Sequence, residues 1–217
     1  SHPPAATPRR QRQLQVASPR RRARQARIGT ADYTPRTDFT RWIPRPSSRH
    51  VTLHHSPNTR STGALILLEE LGADYELNVL NMKTGDQRQA AYLAVNPMGK
   101  VPAVEHAGAL VTEQGAVFLY LADLYPEAGL APPIGDPLRG PYLRWMVFYG
   151  SSFEPAVIDR ALKREPAPAS TNPYGDYDTM LATLTDQLAK GPYLLGETFS
   201  AADVLYGILH PRIRSAR

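Results

Sequence analysis

The feature that most limits how this chain can fold is a proline placed directly ahead of a short run of strand formers, Pro102-Ala103-Val104-Glu105. Proline has no N–H to give to a sheet, so it is confined to strand starts, edges and bulges, and X–Pro is the peptide bond that adopts the cis form most readily. Gly99-Lys100-Val101-Pro102 therefore reads as a loop delivered into a strand, with the backbone groups of Val101 turned outward. A second strand, Ala109 to Val111, returns across the turn His106-Ala107-Gly108, and Glu113-Gln114 then stands at the head of an apolar run. The free N–H groups of a helix start attract carboxylates. Loop and helix start together describe a backbone cradle for a small peptide.

The surrounding order is that of a βαβ unit. Val51-Thr52-Leu53 is a short strand, Ser56-Pro57-Asn58-Thr59 a turn, and Arg60 to Leu71 a helix with Leu67, Leu68 and Leu71 on its apolar side and Gly72 as its stop. Tyr75 to Val79 makes a second strand, and Asp86 to Ala94 a short helix ended by Asn96-Pro97. Glu113 to Tyr125 is a further helix, halted by Pro126. Residues 51–127 thus form an α/β domain, and a proline- and glycine-rich linker, 128–140, separates it from an all-α domain over 141–210. Helices are expected from Pro141 to about Tyr149, around Ala156 to Leu162, from Tyr177 to Lys190, and from Ser200 to Leu209. Ser200 and Asp203 have the spacing of a capping box, so the last of these has a defined start.

The net charge of +5 is divided unevenly. Twelve arginines and two aspartates fall in residues 1–50, a net of +10, which leaves 13 basic and 18 acidic side chains and a net of −5 in the other 167. The basic character belongs to the N-terminal segment, so nucleic acid is not an expected partner of the folded part. Residues 1–50 are rich in Pro, Arg, Gln and Ser and read as disordered. They fit an organelle-targeting segment, a nucleic-acid-binding arm, or a non-native extension from a misplaced start or altered frame. There is no cysteine, which excludes disulfides, cysteine zinc sites and protein thiol nucleophiles. No apolar stretch approaches the roughly 20 residues of a membrane span.

From Thr52 to about His210 the chain resembles the cytosolic glutathione transferases of bacterial type, theta- or nu-like. Four pieces carry the resemblance: Leu53-His54-His55-Ser56-Pro57-Asn58-Thr59-Arg60-Ser61 leading to Leu68-Glu69-Glu70-Leu71-Gly72, the segment Asn96 to Pro102, the pair Glu113-Gln114, and the cap from Gly196 to Asp203. The resemblance implies a thioredoxin-like α/β N-terminal domain and an all-α C-terminal domain. It implies glutathione as co-substrate with no tightly bound cofactor, a small hydrophobic electrophile as the other reactant, a homodimer, and a cytoplasmic location, with organelle targeting by the arginine-rich segment as the alternative. Relatives continue for several helices beyond the capped one, whereas here Pro211 to Arg217 has the composition of the N-terminal tail. The expectation is therefore a helical domain without its closing helices.

Carried onto this sequence, the pattern makes Ser56 the hydroxyl that donates to the glutathione thiolate, with Asn58, Thr59 and Ser61 in the same turn as alternatives. These residues also have an ordinary use as helix caps and turn formers. The cysteine of beta-class members aligns with Arg60, so chemistry through that thiol is excluded. Lys100, Val101 and Pro102 hold the glycine carboxylate and cysteinyl backbone, and Glu113 and Gln114 hold the γ-glutamyl end. Relatives usually carry Glu-Ser where this chain has Glu-Gln. Gln114 lacks the hydroxyl, which shifts carboxylate binding to the helix N–H groups. Tyr142, Trp145, Met146 and Tyr149 recur at helical spacing, which fits core or subunit interface, or, for Tyr142, Trp145 and Tyr149, a wall of the hydrophobic-substrate pocket. His54 and His55 have no second ligand at metal spacing, so no metal site is expected. Two alternatives to electrophile conjugation remain on this fold: a glutathione-dependent disulfide or peroxide reductase, and a non-catalytic binding protein.

Overall fold

The computed structural model describes residues 49–207. The expectations for residues 1–48, for the end of the last helix and for the C-terminal tail lie outside them.

Strands β1 (Val51–His55), β2 (Tyr75–Val79), β3 (Ala103–His106) and β4 (Ala109–Thr112) form one sheet in the order β2-β1-β3-β4. β1 and β2 run parallel through helix α1 (Ser61–Glu70), as a helical crossover requires. β3 is antiparallel to both β1 and β4. This is the thioredoxin-like arrangement. Side chains alternate across it: Val51, Leu53 and Val104 face the main core, while Thr52, His54, Asn78 and Glu105 share the opposite face. The main core receives Leu67, Leu68 and Leu71 from the α1 region and Val117, Phe118 and Leu121 from helix α3 (Gln114–Leu124). Each such buried side chain contributes about 1.5–3 kcal/mol relative to exposure. Gly72, at φ +60°, ends the first helix as expected.

Residues 86–94, expected as one short helix, divide in two. A 3-10 turn at Asp86–Arg88 is followed by extended Gln89 (ψ 150°) and then α2 (Ala90–Val95). The cause is local: the Asp86 carboxylate accepts hydrogen bonds from the Asn81 N–H and the Thr84 hydroxyl, which ties the turn to the preceding loop. Leu80, Tyr92 and Val101 pack into a second, smaller cluster beside α2.

Beyond the turn at Pro126–Ala128, α4 (Arg139–Phe148) passes through a π-helical segment, Tyr149–Phe153, into α5 (Glu154–Ala161). The expected break between two helices is thus a widened turn within one helical rod, next to Pro155, which has no N–H to donate. α6 (Tyr177–Leu188) opens on Asp176, whose carboxylate accepts the Thr179 N–H. α7 (Ala201–Gly207) lies against α1, α3 and α4, so one core runs through the sheet-bearing and helical parts. Its cap forms as expected: Asp203 accepts the Ser200 N–H at 2.9 Å. No helix among the described residues is long and apolar enough to cross a membrane.

Candidate active site

The sheet register brings the separate motifs to one place. His54 pairs with Ala103, and Ala103 with Thr112. Ser56 follows the end of β1, Val101-Pro102 lead into β3, and Glu113-Gln114 follow β4, all just beyond that rung. The turn after β1, the loop before β3 and the start of α3 therefore meet at one end of the sheet. A direct contact agrees: the Gln114 Nε2 donates to the Arg60 carbonyl at 3.4 Å.

In the turn after β1 the hydroxyls sort by what they already bind. The Thr59 hydroxyl donates to the Ser56 carbonyl at 2.7 Å. Ser61 Oγ accepts the Ser56 N–H at 3.0 Å and lies 2.7 Å from Thr59 Oγ1 and 2.8 Å from His55 Nδ1. Both serve to fold the turn. Asn58 is exposed with φ +59°, a left-handed conformation that asparagine tolerates better than most residues. The hydroxyl of Ser56, a residue 3% exposed, makes no hydrogen bond among the described residues. Burial holds the His55 imidazole below its ordinary pKa, opposed by the weaker effect of its Ser61 contact. Arg60, where a cysteine would align, is ion-paired instead with Glu154 at the start of α5.

The loop before β3 is built by two residues that the sequence reading passed over as site residues. Asn96 accepts the Met98 N–H on its Oδ1 at 3.1 Å and donates from Nδ2 to the Lys100 carbonyl at 2.9 Å. The Tyr92 hydroxyl donates to the same carbonyl at 2.6 Å. The signal was present in Asn96-Pro97, read only as a helix stop, and in the four-residue spacing of Tyr92 and Asn96 across α2. The Val101–Pro102 bond is cis. Neither backbone group of Val101 has a hydrogen-bond partner among the described residues. The Lys100 side chain is exposed at the rim.

At the start of α3, Glu113 holds φ +67° and ψ 121°. For a residue with a Cβ such a conformation costs about 1–3 kcal/mol, and it recurs at ligand-binding positions. Its carboxylate is exposed and has no partner among the described residues. Gln114 is 8% exposed, and its Oε1 is buried without a partner among the described residues.

Tyr142, Trp145 and Tyr149 do not join this constellation as a pocket wall. All three are core side chains at 0–1% exposure, packed with Phe153, Met146 and the α7 face. Tyr206 of α7 closes over them, 6.3 Å from the Trp145 ring and 5.2 Å from the Tyr149 ring. Of the three, only Trp145 reaches a cavity of about 470 Å³, which lies between the start of α4 and the Leu194–Gly196 stretch. Among the described residues no three metal-ligating side chains cluster. His54 is engaged with Glu105 and Asn78.

A four-stranded sheet of this order, a cis-proline loop at its end and helices packed on the same core define a thioredoxin-like α/β domain joined to an all-α domain. Residues 50–123 match the family model for the glutathione S-transferase N-terminal domain. Glutathione S-transferase 3 of Schizosaccharomyces pombe is 30% identical over 171 residues, covering 70% of each chain. A tobacco (Nicotiana tabacum) glutathione S-transferase, PARB, is 29% identical over 175 residues, covering 71% of this chain and 78% of the relative. The solved structure of a sphingomonad glutathione S-transferase complexed with glutathione is 32% identical, with a TM-score of 0.62 over 76% of this chain and 83% of that one. The chain belongs to the glutathione S-transferase family of enzymes.

Proposed function

We propose that this chain binds glutathione at the open end of its sheet and activates the thiol for attack on a hydrophobic electrophile. The cysteinyl backbone pairs with Val101, the glycine carboxylate lies by Lys100, and the γ-glutamyl end meets Glu113 and the first N–H groups of α3 beside Gln114. The thiol then faces Ser56. A hydroxyl that donates to the thiolate stabilises the charged form and lowers the thiol pKa. The sulfur lone pair forms the new C–S bond, and the leaving group departs with the electrons of the bond it breaks. Ser56 forms no covalent intermediate.

The observation that carries this reading is the free hydroxyl: Thr59 and Ser61 are engaged in folding the turn, while Ser56 Oγ has no partner among the described residues and follows β1 at the sheet end where Val101 leads into β3. The glutathione complex of the sphingomonad relative supports the ligand. The test is the pKa of enzyme-bound glutathione, followed by ultraviolet absorbance of the thiolate. Ser56→Ala raises it by about one to two pKa units, the scale set by one charge-assisted hydrogen bond. Thr59→Val leaves it within a few tenths of wild type. A rise in the Thr59 variant alone would transfer the role to that residue.

A further inference from the structure

We propose that Tyr92 and Asn96 are positioning residues that aim the Val101 amide at bound glutathione, with the buried His54 network as their footing. The inference rests on the glutathione reading above and concerns side chains that touch no substrate.

The Lys100–Val101 bond is not among the cis bonds of the chain. In a trans peptide the C=O and the following N–H point in opposite directions. The Lys100 carbonyl accepts from the Tyr92 hydroxyl at 2.6 Å and from Asn96 Nδ2 at 2.9 Å, which engages both of its lone pairs. Turning the plane breaks both bonds at once. With the carbonyl fixed toward α2, the Val101 N–H faces the other way, and it has no partner among the described residues. A donor held in place before the ligand arrives binds it without a further ordering cost.

The clamp is itself held. The Tyr92 ring lies 5.4 Å from the His54 ring and is 3% exposed. Asn78 donates to His54 Nδ1 at 3.0 Å, which leaves Nε2 as the protonated nitrogen, 2.7 Å from Glu105 Oε1. Asn78, His54 and Glu105 come from β2, β1 and β3, so the imidazole orientation is fixed across three strands. The chain of contacts runs from the sheet through His54 and Tyr92 to the Lys100 carbonyl and ends at the Val101 N–H. Burial raises the Tyr92 phenol pKa, so its hydroxyl remains a donor throughout the working pH range.

The test compares two probes on two variants. Tyr92→Phe deletes one donor. Asn96→Asp deletes the other and keeps the Oδ1 acceptor for the Met98 N–H. Glutathione engages the Val101 donor, whereas γ-glutamylethylamide keeps the γ-glutamyl end and has no cysteinyl carbonyl. Dissociation constants are measured by calorimetry for glutathione and by NMR titration for the weaker amide, with a thermal melt of each variant. Tyr92→Phe is expected to bind glutathione about fivefold more weakly, the scale of one net hydrogen bond, and Asn96→Asp, whose carboxylate also repels the Lys100 carbonyl, by at least as much, with γ-glutamylethylamide affinity unchanged in both. Equal affinity of wild type and both variants for glutathione overturns the positioning role alone. A parallel loss for both probes overturns it too, in favour of general loosening. Absence of glutathione binding by wild type removes the functional reading, and this inference with it.

Discussion

Replacing Asp203 tests how the helical part holds the site. Its Oδ1 accepts the Leu194 N–H at 2.8 Å, and its Oδ2 accepts the Ser200 N–H at 2.9 Å and the Ser200 hydroxyl at 3.1 Å. Leu194 and Ser200 are 1% and 0% exposed, so Asp203→Ala leaves two amides with little water to replace the carboxylate. Each orphaned donor costs about 1–3 kcal/mol, and some water entry brings the total to roughly 2–4 kcal/mol. For an ordered region of this size that corresponds to a fall in Tm of about 5–15 °C. Asp203→Asn keeps one acceptor oxygen and is expected at roughly half the cost, on whichever side the amide turns. The assay is urea unfolding by far-ultraviolet circular dichroism at neutral pH, with the slope compared between variants so that only the midpoint carries the difference. An Ala variant within about 1 kcal/mol of wild type, or an Asn variant equal to Ala, would refute the view that the carboxylate is the cap. Because α7 packs on α1 and α3, the same variant is expected to weaken glutathione binding.

Two further outcomes follow from the site itself. Gly99 holds φ +60°, and a Cβ there would stand 2.7 Å from the Gln87 carbonyl and 3.0 Å from Arg88 Nη1. Gly99→Ala is therefore expected to cost about 2–3 kcal/mol, from left-handed strain plus a backbone clash, and to lower glutathione affinity; a melt and titration equal to wild type would show that the loop moves freely. Because burial lowers the pKa of His55, the unfolded chain binds its proton first on acidification, so stability falls as pH drops below about 6.5 and continues to fall until the folded imidazole also protonates. Urea midpoints at pH 7.5 and 5.5 should converge in His55→Asn relative to wild type, and an unchanged difference would assign the slope to other groups.

How much of this was readable from the letters depends on whether the deciding interaction leaves a mark in the residue pattern. The β2 strand, Tyr75 to Val79, and the Ser200–Asp203 cap are local in sequence, and both stand where the pattern put them. The break at Gln89 was not legible, because it arises from Asp86 reaching back to Asn81 rather than from a helix-breaking residue. Nor was the continuity of α4 into α5, since Gly150-Ser151-Ser152 and Pro155 look like an interruption. The structure absorbs them in a π-helical turn with Tyr149 and Phe153 held inward against Tyr206. The aromatic spacing of Tyr142, Trp145 and Tyr149 located a buried face, but spacing alone does not say whether a ligand or another helix covers it.

The start of α3 shows what a single departure from the family pattern does. The serine expected from the resemblance would offer a hydroxyl to the γ-glutamyl carboxylate. Gln114 instead turns its Nε2 toward the Arg60 carbonyl, the residue that precedes α1. The side chain thereby ties together the first turns of α1 and α3, and in the proposed binding mode the carboxylate is left to the main-chain N–H groups at the start of α3. Backbone donors do not depend on side-chain identity, so this position accepts an amide in place of a hydroxyl while the cradle keeps its shape. In the proposed binding mode the clamp on Lys100 fixes a main-chain donor for the middle residue of the peptide before it arrives, and the strained Glu113 stands at the γ-glutamyl end.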